Sequence, residues 1–95
     1  MFVGICKVVL YIPGCDSLKG KRQVVRSIKD RVGAKFSVAI AEVGELDLWQ
    51  KAEFGIVAVG NDHSFVNSVL DNVTRFIENM MVAQLVDRTF EIITF

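Results

Sequence analysis

Residues 2–33 read FVGICKVVLYIPGCDSLKGKRQVVRSIKDRVG, and the change of period inside this stretch decides the fold. Phe2 to Ile12 is an apolar run rich in Val and Ile, the mark of a strand buried in a sheet. Pro13-Gly14 closes it, because proline removes a backbone donor and glycine admits a turn. Asp16 and Ser17 then offer side-chain oxygens for a helix N-cap. From Leu18 the apolar positions fall at Val25, Ile28 and Val32, with Val24 alongside; this is one face of a helix, and Gly33 marks its end. A strand, a tight turn and an amphipathic helix thus open the chain.

The same signals recur beyond Gly33. Phe36, Val38 and Ile40 alternate with Ser37, Ala39 and Ala41, which predicts a strand. Gly44 to Gln50 reads as a polar connection, and Phe54 to Val59 as a further strand closed by Gly60-Asn61-Asp62. Asn61 or Asp62 can cap a second helix, whose stripe is Val66, Val69, Leu70, Val73, Phe76, Ile77 and Met80. Gln84 to Phe95 ends the chain with a fourth strand, centred on Thr89 to Phe95.

The order is β-α-β-β-α-β, and 95 residues hold one such unit, a single domain over 1–95. That order predicts an α+β, ferredoxin-like sandwich: a four-stranded antiparallel sheet with right-handed crossovers placing two helices on one face. The other face then has no cover of its own, in a chain that is 52% hydrophobic. A homo-oligomer, a dimer first, is expected there; the alternative is that alanines and short aliphatics on that face tolerate water.

Composition removes several function classes. The longest charge-free stretches, such as Val8–Cys15 and Asn79–Val86, fall far short of the roughly 20 apolar residues of a membrane span. Lys7 interrupts the apolar N-terminus, which carries no basic leader, so a soluble cytoplasmic protein is expected. Cys6 reads as a small core residue and Cys15 as a loop thiol; with one histidine, His63, they make no metal set, and neither a metal nor a cofactor is expected.

Lysine plus arginine number 11 and aspartate plus glutamate 11, a formal net charge of zero that hides a division. Residues 1–40 hold eight basic and two acidic side chains, a balance of +6, whereas residues 41–95 hold three basic and nine acidic ones, a balance of −6. Seven of the positive charges lie between Lys19 and Lys35. Basic residues concentrated on one helix suit sequence-independent contact with phosphates. The alternative is a solvated face that pairs with the acidic half of this molecule or of a neighbour.

The turn after the first strand resembles a P-loop only superficially. Five residues, not four, separate Gly14 from Gly20, and Arg22 replaces the hydroxyl that would hold magnesium. The helix start still directs backbone N–H groups outward, so Ser17, Lys19, Lys21, Arg22, Arg26 and Lys29 are the candidate anion- or RNA-binding residues. There is no G-x-x-G clamp, the third strand lacks a base-stacking platform, and the acylphosphatase loop pattern is missing. His63 beside Asp62 reads as a residue at a helix cap rather than a catalytic group, and no catalytic residue is assigned. Asp47, Trp49 and Gln50 are candidate partner contacts, since Trp49 is the only tryptophan and lies in the hairpin connection beside acidic residues; packing over a sheet end is the other reading.

Ile12-Pro13-Gly14 followed by Ser17-Leu18-Lys19-Gly20-Lys21-Arg22 resembles the S-L-K-x-K-R signature of the small bacterial YlxP-like proteins. Ala41-Glu42-Val43, Asp47-Leu48-Trp49-Gln50-Lys51-Ala52, Gly55 to Val59, Asn61-Asp62 and Phe76-Ile77-Glu78 are similar to further segments of that family, so the resemblance covers nearly the whole chain. It departs at Gly44-Glu45-Leu46, where the family carries a more polar, often histidine-containing turn. The resemblance implies a ferredoxin-like domain of unknown function, often encoded beside translation and ribosome-maturation genes, with no catalytic residues to carry over. The expectation is a non-enzymatic binding protein that docks on structured RNA or a ribosomal particle. The alternative is a dimeric small-ligand or regulatory module with no nucleic-acid role.

Overall fold

The computed structural model describes residues 1–95 and has the expected order: β1 (Phe2–Tyr11), α1 (Leu18–Lys35), β2 (Ala39–Gly44), β3 (Lys51–Gly60), α2 (His63–Asn79) and β4 (Gln84–Thr94). The strands form one antiparallel sheet in the order β2-β3-β1-β4, with both helices on the same side. This is the α+β ferredoxin-like sandwich.

The alternation of β1 sets the two sides of the sheet. Cys6, Val8 and Leu10 point to the helices and are buried, as are Ala52, Phe54, Ile56 and Ala58 of β3 opposite them. They meet Val25, Ile28 and Val32 of α1 and Val66, Leu70, Val73 and Ile77 of α2 in one core. Gly4 stands where α2 comes closest: a Cβ there would lie 2.6 Å from Val66 Cγ1 and 2.9 Å from Leu70 Cδ1. The turn after Ile12 requires its glycine, since Gly14 has φ +72°. Cys6 is a core residue, as its apolar setting implied.

Both helices begin where the sequence placed their caps. Ser17 Oγ accepts from the Gly20 amide at 3.0 Å, and Asp62 Oδ2 accepts from the Phe65 amide at 3.1 Å. The ends differ from expectation. Gly33 does not stop α1, which runs on to Lys35; a glycine inside a helix costs only about 1 kcal/mol relative to alanine. Phe36 ends it in extended conformation and meets Phe76 of α2 edge-to-face at 5.5 Å. β2 consequently starts at Ala39 rather than Phe36. β3 starts at Lys51 rather than Phe54, because β1 offers ladder partners along its full length.

Candidate functional site

α1 carries two basic flanks, separated by its contacts. At 100° per residue Lys21, Val25, Ile28 and Val32 share the buried side, while Lys19, Arg22, Arg26 and Lys29 share one flank and Arg31 and Lys35 the other. The second flank faces α2: Arg31 lies 5.7 Å and Lys35 4.8 Å from the centre of the Phe76 ring. The first therefore turns away from α2, on the side of edge strand β2.

Lys19, Arg22, Arg26 and Lys29 are all exposed, and none has a carboxylate within ion-pair distance. The cations that are paired lie elsewhere: Lys7 with Glu53 at 3.3 Å, Lys21 with Glu42 at 3.0 Å, Lys51 with Glu45 at 3.7 Å and Arg88 with Asp71 at 2.8 Å. Burial opposes the charge of Arg88, but interactions with Cys6 and Asp71 outweigh it, so its pKa is raised and it stays protonated. Pairing with the acidic half of the molecule thus takes up cations on the sheet, at the start of α1's buried side and against α2, and leaves the outer flank of α1 free. Two shallow grooves run along that flank, about 470 and 340 Å³, with Asp30 the one carboxylate in their walls.

Two of the predicted anion-binding residues are not available. Lys21 is a correction: its side chain is 1% exposed, its ammonium pairs with Glu42, and it donates to the Glu45 carbonyl. A lysine two residues after an exposed one on a helix points 200° away, and here that direction is the core. Ser17 is taken up as the N-cap, its hydroxyl accepting from Gly20. The S-L-K-x-K-R segment accordingly divides: Ser17 and Lys21 hold the helix start, and Lys19 and Arg22 face solvent.

Lys21 also fixes the β2–β3 connection. Glu45, whose carbonyl it holds, has φ +60°, and Leu48 N–H donates back to Glu45 O at 3.2 Å. Gln50 joins the loop to the other side of the turn: its carbonyl accepts from Ile12 N–H at 2.8 Å and its amide Nε2 donates to Cys15 O at 3.2 Å. Of the predicted partner contacts, Gln50 is therefore engaged inside the molecule, whereas Asp47 and Trp49 are exposed, Trp49 by 50%. The connection is less polar than expected, for Leu46 and Leu48 also stand in solvent. Tyr11, Leu48, Trp49 and Val86 wall a groove of about 730 Å³ with Asp47, Gln50 and Lys51 at its edges.

Sequence reasoning did not single out Arg75, which lies with Lys35, Phe36 and Phe76 around a small hollow between the helix ends. Arg75 lies twelve residues beyond His63, the start of its helix, and only the packing of α2 against Phe36 brings it to α1. His63 is the first residue of α2 and meets Phe2 edge-to-face at 5.7 Å. No group of three or more His, Cys, Asp or Glu gathers as a metal set, and no helix is long and apolar enough to cross a membrane.

Residues 3–90 match the model of a family described as "Protein of unknown function (DUF503)". The uncharacterized protein YlxP of Bacillus subtilis (strain 168) is 40% identical over 74 residues, which cover 78% of each chain. Among solved structures, a de novo designed protein with ferredoxin fold superposes with a TM-score of 0.59 at 15% identity, over 96% of this chain and 85% of that one. A dimeric ferredoxin-like protein of unknown function from Thermobifida fusca superposes with a TM-score of 0.50 at 13% identity, over 98% and 92%. At those identities the structures show the fold.

Proposed function

The chain belongs to this family of proteins of unknown function (DUF503), and we propose that it is a non-enzymatic cytoplasmic binding protein that sets the outer flank of α1 on the phosphate backbone of structured RNA, as in a ribosomal particle. One observation supports this reading: the four flank cations Lys19, Arg22, Arg26 and Lys29 are exposed and unpaired, while four others of the eleven cations sit in ion pairs. From Lys19 to Lys29 the helix rises about 15 Å, room for roughly four backbone phosphates of one strand. Contact with four phosphates makes log Kd depend on log salt with a slope of about 3. Self-association through the open sheet face is compatible with this surface, because α1 lies on the other side of the sheet.

The test is fluorescence anisotropy of a labelled ribosomal RNA fragment across a salt series, with the Arg22→Ala/Arg26→Ala variant alongside. The expected result is binding at low salt, with the variant's slope lower by about 1.5. Absence of binding at low salt, or an unchanged slope in the variant, overturns the proposal. The second reading, a dimeric small-ligand or regulatory module, rests on the groove between Tyr11, Leu48, Trp49 and Val86. It predicts that a bound ligand shifts Trp49 emission with no response to the α1 variant.

A further inference from the structure

The side of the sheet away from the helices carries two neighbouring columns, Val3, Ile5, Lys7, Val9 and Tyr11 of β1, and Val59, Val57, Gly55, Glu53 and Lys51 of β3, each residue beside its register partner. Ile5 is 42%, Val57 38%, Val59 61% and, on β4, Ile93 39% exposed. An apolar sheet face in solvent is what partners cover.

We infer that this face seats a second copy of the chain, sheet against sheet, about a two-fold axis that runs along the strands between β1 and β3. Such an axis lays the β1 column of one copy over the β3 column of the other. Val3 then faces the other copy's Val59 and Ile5 its Val57, apolar on apolar. Lys7 comes over Gly55, where the Val43 side chain of the same copy leans across the strand and offers an apolar bed for the lysine stem, and its ammonium reaches the other copy's Glu53. Tyr11 comes over Lys51, a cation above an aromatic ring. The outer strands follow the same rule: Ala39 and Ala41 of β2 are small, and the side chains that come over them, Glu91 and Thr89 of β4, are larger. The arrangement is isologous, as a two-fold dimer requires.

Three observations choose this occupant over a different protein. First, the centre of the face is self-complementary: Lys7 and Glu53, 3.3 Å apart within one copy, exchange partners across the axis. Second, the area fits. Strands of about 33 Å by four strand widths of about 4.8 Å give a flat area on the order of 600 Å², and side-chain relief brings the accessible surface near the roughly 800 Å² per partner of a stable interface. Third, the formal net charge is zero, so two copies approach without net repulsion. The groove of Tyr11 and Trp49 opens at the loop end of the same face, so the axis brings both copies' grooves to one end of the dimer.

Sedimentation velocity from 10 to 100 μM tests this on the full chain. The expected species is close to twice 10.6 kDa. Val57→Glu and Ile5→Glu each convert it to monomer with the far-ultraviolet circular dichroism retained. Lys7→Glu weakens association at least tenfold, because it sets two glutamates together across the axis, and Lys7→Glu/Glu53→Lys restores it. Arg22→Ala/Arg26→Ala leaves the mass unchanged. A wild-type monomer at 100 μM overturns the proposal and leaves the face to another protein. So does a dimer that survives both Val57→Glu and Ile5→Glu in folded form, or one that the α1 variant dissociates. A charge exchange that fails to restore a dimer lost in Lys7→Glu overturns the axis.

Discussion

Replacing Lys21 by methionine separates a structural lysine from an RNA-binding one. Methionine keeps much of the apolar stem and removes the ammonium that lies 3.0 Å from Glu42 Oε2 and holds the Glu45 carbonyl. Glu42, with its side chain 18% exposed, would remain in the protein without a counter-ion. Removing one partner of a buried pair costs about 3–5 kcal/mol, and the residual exposure of Glu42 places this case near 3 kcal/mol. In a domain of this size each kcal/mol lowers Tm by roughly 4–8 °C, so the expected drop is about 12–24 °C, read by thermal circular dichroism. The double variant Lys21→Met/Glu42→Leu removes the orphaned carboxylate and is expected to recover at least half of the loss. Below its melting range Lys21→Met should bind RNA as the wild type does, since no phosphate reaches a side chain buried among Glu42 and Glu45. A Tm within about 4 °C of wild type refutes the reasoning, as does a double variant less stable than the single one, or RNA affinity lost while the fold is intact.

Arg22→Ala/Arg26→Ala removes two exposed, unpaired charges, so its Tm should stay within about 3 °C of wild type, and a larger fall would mean these arginines serve packing. Gly4→Ala forces a methyl group into Val66 and Leu70 and should cost about 1–3 kcal/mol by urea denaturation; a neutral result would show that α2 shifts freely. Asp62→Ala removes the acceptor for the Phe65 amide and should cost about 1 kcal/mol, with Asp62→Asn nearly neutral; equal losses would point away from capping.

The fold was legible because each transition carries a local signal. Pro13-Gly14 ends a strand, Ser17 and Asp62 accept the amides three residues on, and the apolar stripes of both helices face the sheet. Element ends were less legible, since α1 runs two residues past Gly33 to a C-cap, Phe36, that packs against Phe76 of α2. The charge division was readable as a count, yet the count ranked Lys21 with Arg22 although they lie 100° apart around the helix axis. Helical angle alone places Lys21 beside Val25 and Ile28. Its choice of partner depends on Glu42 in β2 and the Glu45 carbonyl, which only the tertiary fold supplies. Arg75 was invisible for the same reason.

Zero net charge and an unneutralised basic flank coexist because pairing depends on distance, not on totals. The acidic residues of the second half lie mostly in β2, β3, α2 and β4, and those that find cations find them on the sheet, on the buried side of α1 or beside the β2–β3 connection: Glu53 at Lys7, Asp71 at Arg88, Glu42 at Lys21 and Glu45 at Lys51. α1 presents its outer flank beyond the β2 edge, away from both α2 and β4. Beyond a separation of about 8–10 Å, screening at physiological ionic strength makes the remote carboxylates largely ineffective against the flank cations. The local potential there is set by Lys19, Arg22, Arg26 and Lys29, with Asp30 alone opposing them, so a phosphate strand at that flank meets a basic surface on a molecule that is neutral overall. The same neutrality is what lets two copies approach through the opposite side of the sheet.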